Sequence, residues 1–124
     1  MSLVILEYVD VLGGKNEKKV LKFSMDLLPE PVNKESLFVI KVDGESMQPV
    51  IKDRALVVAD LSQRVVEAEG IYLVYQNNSM WIKQAKQEDT GMTFISINKA
   101  FSHLVYNEVE VRVVAKVVLS FSTF

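Results

Sequence analysis

IYLVYQNNSMWIKQA, residues 71–85, reads as two strands folded about a turn. Ile71–Tyr75 and Met80–Ala85 are rich in β-branched and aromatic residues and alternate with period two. Between them, Gln76-Asn77-Asn78-Ser79 supplies the residue types that accept the backbone of a hairpin turn. The same alternation recurs on both sides of this segment. Further strands are predicted over Val4–Val11, Lys19–Phe23, Leu37–Val42, Ala55–Ala59, Met92–Ile97 and Val109–Phe121. The breaks carry turn chemistry: a flexible Gly13-Gly14-Lys15-Asn16, a stiffer Pro29-Glu30-Pro31-Val32-Asn33, and a second hairpin turn at Glu88-Asp89-Thr90-Gly91. Helix is confined to single turns, one over Ser24–Leu28 with Ser24 as N-cap and one over Met47–Ile51. The expected fold is therefore mainly β: a coiled antiparallel sheet, ribbon- or barrel-like, with short helical turns. Nothing in it resembles the paired helices of a DNA-reading head.

Composition narrows the function. The 124 residues suit one domain, expected to span 1–124, and 49% hydrophobic with 24% charged residues is enough to bury one core. A formal charge of −2 lacks the basic excess that grips phosphates. There is no cysteine, which removes disulfides, thiolate metal sites and a cysteine nucleophile. No apolar run approaches the ~20 residues of a membrane span, and the start, Met1-Ser2-Leu3-Val4, lacks a basic leader region. The expected setting is the cytoplasm, without a membrane.

Few residues offer chemistry. His103, the only histidine, lies in Ala100-Phe101-Ser102-His103-Leu104, a loop before the last strand, and reads as a surface or hydrogen-bonded histidine. One histidine with scattered carboxylates shows no metal-ligand spacing, and no cofactor is expected. Gly13-Gly14 lacks the Lys-Ser/Thr end of a phosphate loop. Ser46, in Val42-Asp43-Gly44-Glu45-Ser46-Met47-Gln48-Pro49, is a nucleophile only if a neighbour takes its proton. A neutral lysine can do so if burial lowers its pKa from ~10.4. Lys83 is placed for this: alternation sets Trp81 and Ala85 on its own face, with Met80 and Ile82 opposite. A charge wedged there is costly, whereas a neutral amine bonded to a serine is much less so. The plainer reading of such a residue is a lysine that snorkels from a sheet edge to water.

Taken together, the two residues point to a family. Gly44-Glu45-Ser46-Met47-Gln48-Pro49 resembles the Gly-Asp/Glu-Ser-Met-x-Pro signature of the LexA, UmuD and phage-repressor group of self-cleaving serine peptidases. Lys83 follows Ser46 by 37 residues, the separation usual in LexA-like proteins. Ser96-Ile97-Asn98-Lys99-Ala100-Phe101 resembles the family's Ser-x-Asn-x-x-Tyr segment, and Val113–Val118 its closing strand. The resemblance is close from Leu37 onward and looser before it. Arg54-Ala55 stands where the family usually has Gly-Asp.

The resemblance implies a nucleophilic Ser46, a general base Lys83, and an oxyanion site formed by the backbone N–H groups of Ser46 and Met47. It implies a scissile Gly13-Gly14 bond, cut in cis, in an arm expected over residues 1–18; Gly13 replaces the usual Ala or Cys. It further implies a homodimer joined at the final strand, Val109–Phe121. DNA would be met only through a head upstream of this chain, and a recombinase filament would act as co-protease after DNA damage. The alternatives are a UmuD-like polymerase accessory, a non-catalytic dimerisation module with a relic dyad, and a signal-peptidase-type enzyme acting in trans.

Overall fold

The computed structural model describes residues 2–12 and 14–123, with the side chains of Val11 and Leu12 excepted. Among the described residues nine strands form two antiparallel sheets. β1 (Leu3–Leu12) and β2 (Lys15–Ser24) form a separate hairpin, paired from Leu3 with Ser24 to Leu12 with Lys15. The remaining strands are β3 (Leu37–Lys41), β4 (Leu56–Asp60), β5 (Ile71–Gln76), β6 (Ser79–Glu88), β7 (Gly91–Ile95), β8 (Tyr106–Asn107) and β9 (Arg112–Phe121). They make one seven-stranded sheet in the order β3-β4-β9-β5-β6-β7-β8. The architecture is mainly β as expected, but the large sheet is open, with β3 and β8 at its edges, and does not close into a barrel.

Turn chemistry explains the hairpins. Asn77 and Asn78 take φ of 51° and 62°, which asparagine tolerates better than most side-chain-bearing residues. They join β5 to β6 with Gln76 opposite Ser79. Asp89-Thr90 joins β6 to β7, with Glu88 opposite Gly91 at φ 128°. The Ser24 hydroxyl accepts from the Asp26 N–H at 3.2 Å and caps a 3-10 turn over Met25–Leu27. Met47–Ile51, expected as a single helical turn, is closed by one α-type bond, Ile51 N–H to the Met47 carbonyl at 2.9 Å, and does not extend into a helix.

The last predicted strand, Val109–Phe121, begins later, at Arg112, because Glu108–Glu110 form a capped 3-10 turn. It lies in the middle of the sheet, between β4 and β5. The expected arm, 1–18, belongs to a longer unit: its strand is half of the hairpin that runs to Ser24.

Three apolar clusters hold these parts together. Val4 and Phe23 of the hairpin pack with Leu37, Val39 and Val58 of the large sheet. Met47, Ile51, Ala55 and Val57 form a second cluster beneath the β3–β4 connection. Tyr72, Val74, Ala85 and Phe94 form the third, with the Tyr72 and Phe94 rings edge to face at 6.3 Å. Each large side chain so buried contributes about 1.5–3 kcal/mol from removal of apolar surface from water. The hairpin is also tied by charge. Asp10, only 3% exposed, accepts from Lys19 at 3.0 Å and from Lys41 of β3 at 2.9 Å. The bond from Lys41, then that from Lys19, holds the Asp10 carboxyl below its usual range.

Candidate active site

Ser46 lies in the β3–β4 connection, on a turn fixed from three directions. Val42 is bridged across the base of the loop: its N–H donates to the Ala55 carbonyl at 2.8 Å, and its carbonyl accepts from Arg54 at 2.9 Å. Gly44, at φ 119°, donates its N–H to Asp53 Oδ1 at 2.8 Å. Gln48 N–H reaches the Glu45 carbonyl and Ile51 N–H the Met47 carbonyl, which leaves the N–H groups of Ser46 and Met47 outside the bonds that close the turn. Met47 is 2% exposed and anchors the turn in the core, while Ser46 is partly exposed. Arg54, where the family usually has glycine, adopts the left-handed backbone itself at φ 70°.

Lys83 is fully buried in the middle of β6. The inward direction expected from alternation is therefore realised, and the snorkelling alternative is not. Its amine donates to Ser96 Oγ at 2.6 Å and to the Leu104 carbonyl at 3.1 Å. The rings of Tyr106 and Trp81 stand 5.4 and 5.8 Å from it. Among the described residues no carboxylate pairs with it. Burial alone therefore acts on the amine and pushes its pKa down to about 8. The sequence reading supposed a neutral amine held by a serine. The serine that holds it here is Ser96, and no hydrogen bond joins Lys83 to Ser46 among the described residues.

Ser46 and the surroundings of Lys83 nevertheless meet at one cleft of about 350 Å³. Its walls are Ile40–Met47 on one side and Met80–Ile82 with Phe101 and Leu104 on the other. Lys83 does not line the cleft; its amine bonds the carbonyl of Leu104, one of the lining residues. A neighbouring cleft of about 610 Å³ is lined by Val9 and Asp10 of the hairpin and shares Ile40–Asp43 with the first. Gly14 sits at the hairpin's tip, exposed, at φ 81°; Gly13, the other half of the expected scissile bond, lies outside the described residues. His103 is exposed in the loop after a 3-10 turn over Lys99–Phe101. Among the described residues, no cluster of three or more His, Cys, Asp or Glu could hold a metal ion, and no helix is long and apolar enough to cross a membrane.

Sequence reasoning missed the role of Ser96, although the signal was present. The Glu88–Gly91 turn sets the register of β6 and β7, with Gln84 opposite Ile95. One step further back puts Lys83 opposite Ser96, and residues opposite one another share a face.

The geometry agrees with comparison to known proteins. A transcriptional regulator of Haemophilus influenzae (strain ATCC 51907 / DSM 11121 / KW20 / Rd), described as an uncharacterized HTH-type transcriptional regulator, is 35% identical over 68 residues. That match covers 55% of this chain and 28% of the regulator, so the chain corresponds to a small part of that protein. The Peptidase S24-like family model matches residues 9–118, which include both Ser46 and Lys83. The chain belongs to the Peptidase S24-like family, the family of LexA, UmuD and the phage repressors.

Proposed function

We propose that this chain is the self-cleaving and pairing domain of a LexA-like repressor, with Ser46 as nucleophile and Lys83 as general base. One observation carries the reading: a fully buried lysine, with no carboxylate partner among the described residues, whose amine bonds the carbonyl of Leu104, a residue lining the cleft that holds Ser46. A lysine serving only structure gains most by staying charged and paired, whereas a base must be neutral at working pH.

The chemistry follows from the groups present. Ser46 Oγ attacks the carbonyl carbon of the residue before the scissile bond, and Lys83 takes the hydroxyl proton. The oxygen of the tetrahedral intermediate becomes negative and is met by the Ser46 and Met47 N–H groups. The C–N bond then breaks, and the Lys83 ammonium gives its proton to the leaving amine. Water, deprotonated by the neutral Lys83, hydrolyses the resulting ester and restores Ser46. For proton transfer to occur, the amine must reach Ser46 as the substrate loop enters, since catalytic bonds often tighten only in the complex.

The substrate is the chain's own hairpin, and the bond is Gly13-Gly14. Support comes from Val9 and Asp10, which line a cleft sharing a wall with that of Ser46. Small residues around the bond allow close backbone approach. Two copies pair through the partly exposed side chains of β9, a strand in the middle of the sheet and not at its edge. DNA binding belongs to a head upstream, in keeping with a relative described as an HTH-type regulator. Cleavage, promoted after DNA damage by a recombinase filament, separates head from pairing domain.

Intact mass spectrometry after incubation at pH 7 and pH 9 tests this. With a pKa of about 8, the neutral fraction and hence the rate rise about tenfold over that interval. Fragments ending at Gly13 are expected from the wild type and none from Ser46→Ala. An intact wild-type chain at pH 9, still folded, would show that the domain only pairs and does not cut.

A further inference from the structure

Between β7 and the next 3-10 turn, three residues touch both halves of the proposed dyad. Ser96, 6% exposed, meets the Lys83 amine at 2.6 Å. Asn98 N–H donates to the Ser46 carbonyl at 2.9 Å, and its Nδ2 donates to the Glu45 carbonyl at 2.9 Å. Ile97, between them, packs on the cluster of Met47, Ile51, Ala55 and Val57. The remaining atom of the Asn98 amide is also engaged, Oδ1 accepting from Ala100 N–H at 3.1 Å.

We infer that Ser96 and Asn98 are positioning residues and that the segment Ser96–Asn98 is a strut which sets the base and the nucleophile relative to one another. The inference rests on the peptidase reading above and adds to it the part that fixes the dyad's geometry. Ser46 and Lys83 stand on loops and strands that are not neighbours in the sheet: the β3–β4 connection and β6. Their relative placement therefore depends on cross-contacts. The strut supplies three hydrogen bonds, one at the Lys83 end and two at the Ser46 end, and Ile97 seats its middle on the core that also anchors Met47.

The chemistry requires such control. A neutral amine has two N–H groups and one lone pair. With its protons directed to Ser96 Oγ and the Leu104 carbonyl, the lone pair takes the remaining tetrahedral direction, and that direction must face the Ser46 hydroxyl. Removing the Ser96 oxygen lets the amine turn. Removing the Asn98 amide lets the serine turn drift. Displacement of about 1 Å in a reacting group lowers rates by up to about a hundredfold.

The test uses the whole chain and separates the strut from the peptidase reading. Lys83 is titrated by 13C NMR of its ε-carbon in Ser46→Ala, with and without Ser96→Ala. Loss of a partner that favours the ammonium form moves the midpoint down by about 0.5–1 pH unit, and Ser96→Thr, which keeps a hydroxyl, restores it. Asn98→Ser retains a side-chain oxygen as cap but lacks the amide donor. It leaves the Lys83 titration unmoved and speeds amide exchange over Glu45–Met47. In the cleaving protein, Ser96→Ala and Asn98→Ser each lower the plateau rate at high pH by about ten- to a hundredfold, and Ser96→Thr recovers most of it. An unchanged Lys83 midpoint in Ser96→Ala, or unchanged exchange over the serine turn in Asn98→Ser, overturns the strut. If wild type is never cut while both of these shifts appear, the clasp stands and the peptidase reading falls.

Discussion

Replacing Lys83 with methionine removes a buried amine while keeping an unbranched chain of similar length, and the consequence for stability can be worked out. The unfolded chain's lysine titrates near 10.5 and the native one at about 8. A depressed native pKa means that the native state holds fewer protons than the unfolded state between these values. Stability is therefore full above pH 10.5, falls as pH is lowered toward 8, and is level below it. From pH 10 to pH 7 this group alone removes about 2–3 kcal/mol. Urea unfolding of wild type and Lys83→Met at both pH values isolates the effect, because the other lysines and tyrosines are common to both proteins and cancel in the difference. The methionine leaves the Leu104 carbonyl without its partner at either pH, so that cost cancels too. The wild type should gain about 2–3 kcal/mol relative to the variant between pH 7 and pH 10. Parallel behaviour of the two would mean that the amine keeps an ordinary pKa, and the argument for a neutral base would fail with it.

Two further outcomes are expected. Asp10→Asn removes the acceptor shared by Lys19 and Lys41, and hydrogen exchange in β1 and β2 should quicken at pH 7; in wild type the carboxylate's contribution is present above pH 3.8 and is lost as pH falls through its lowered native pKa, so the two proteins should converge in acid, and equal exchange at pH 7 would show that the bridge does not hold the hairpin. Gly70→Ala brings a Cβ to 2.8 Å from the Tyr72 ring and 2.9 Å from its hydroxyl; the ring is buried, and the hydroxyl accepts from Glu67 N–H and donates to the Val65 carbonyl, so overpacking should cost about 1–3 kcal/mol in urea unfolding.

What could be read from the chain depended on how local the signal was. Residues 71–85 gave a strand, a turn and a strand because alternation and the Asn77-Asn78 pair act within a few residues. Lys83 could be set on an inward face for the same reason. The partner of its amine could not be named from β6 alone, since Ser96 comes from the next strand's end and only the register of two strands together brings it there. β8 is two residues long and carries no period; its pairing with Thr93 and Phe94 of β7 is a product of tertiary packing. The central place of β9 was likewise hidden, because a strand of alternating apolar residues looks alike at an edge and in the middle. The single turn expected over Met47–Ile51 is present as one bond from Ile51 N–H to the Met47 carbonyl, but the ties from Asn98 to Glu45 and Ser46 just before it span more than fifty residues and leave no local signal.

The position of β9 has a consequence for how the protein is made. Without β9, the large sheet falls into two pieces, β3-β4 and β5-β6-β7-β8. Ser46 belongs to the first piece and Lys83 to the second. During synthesis the strand that welds them emerges after both, so a nascent chain halted before Arg112 carries Ser46 and Lys83 on halves with no common ladder. A single continuous sheet can therefore exist only once β9, which comes after the other eight strands in the chain, has taken its place at the middle.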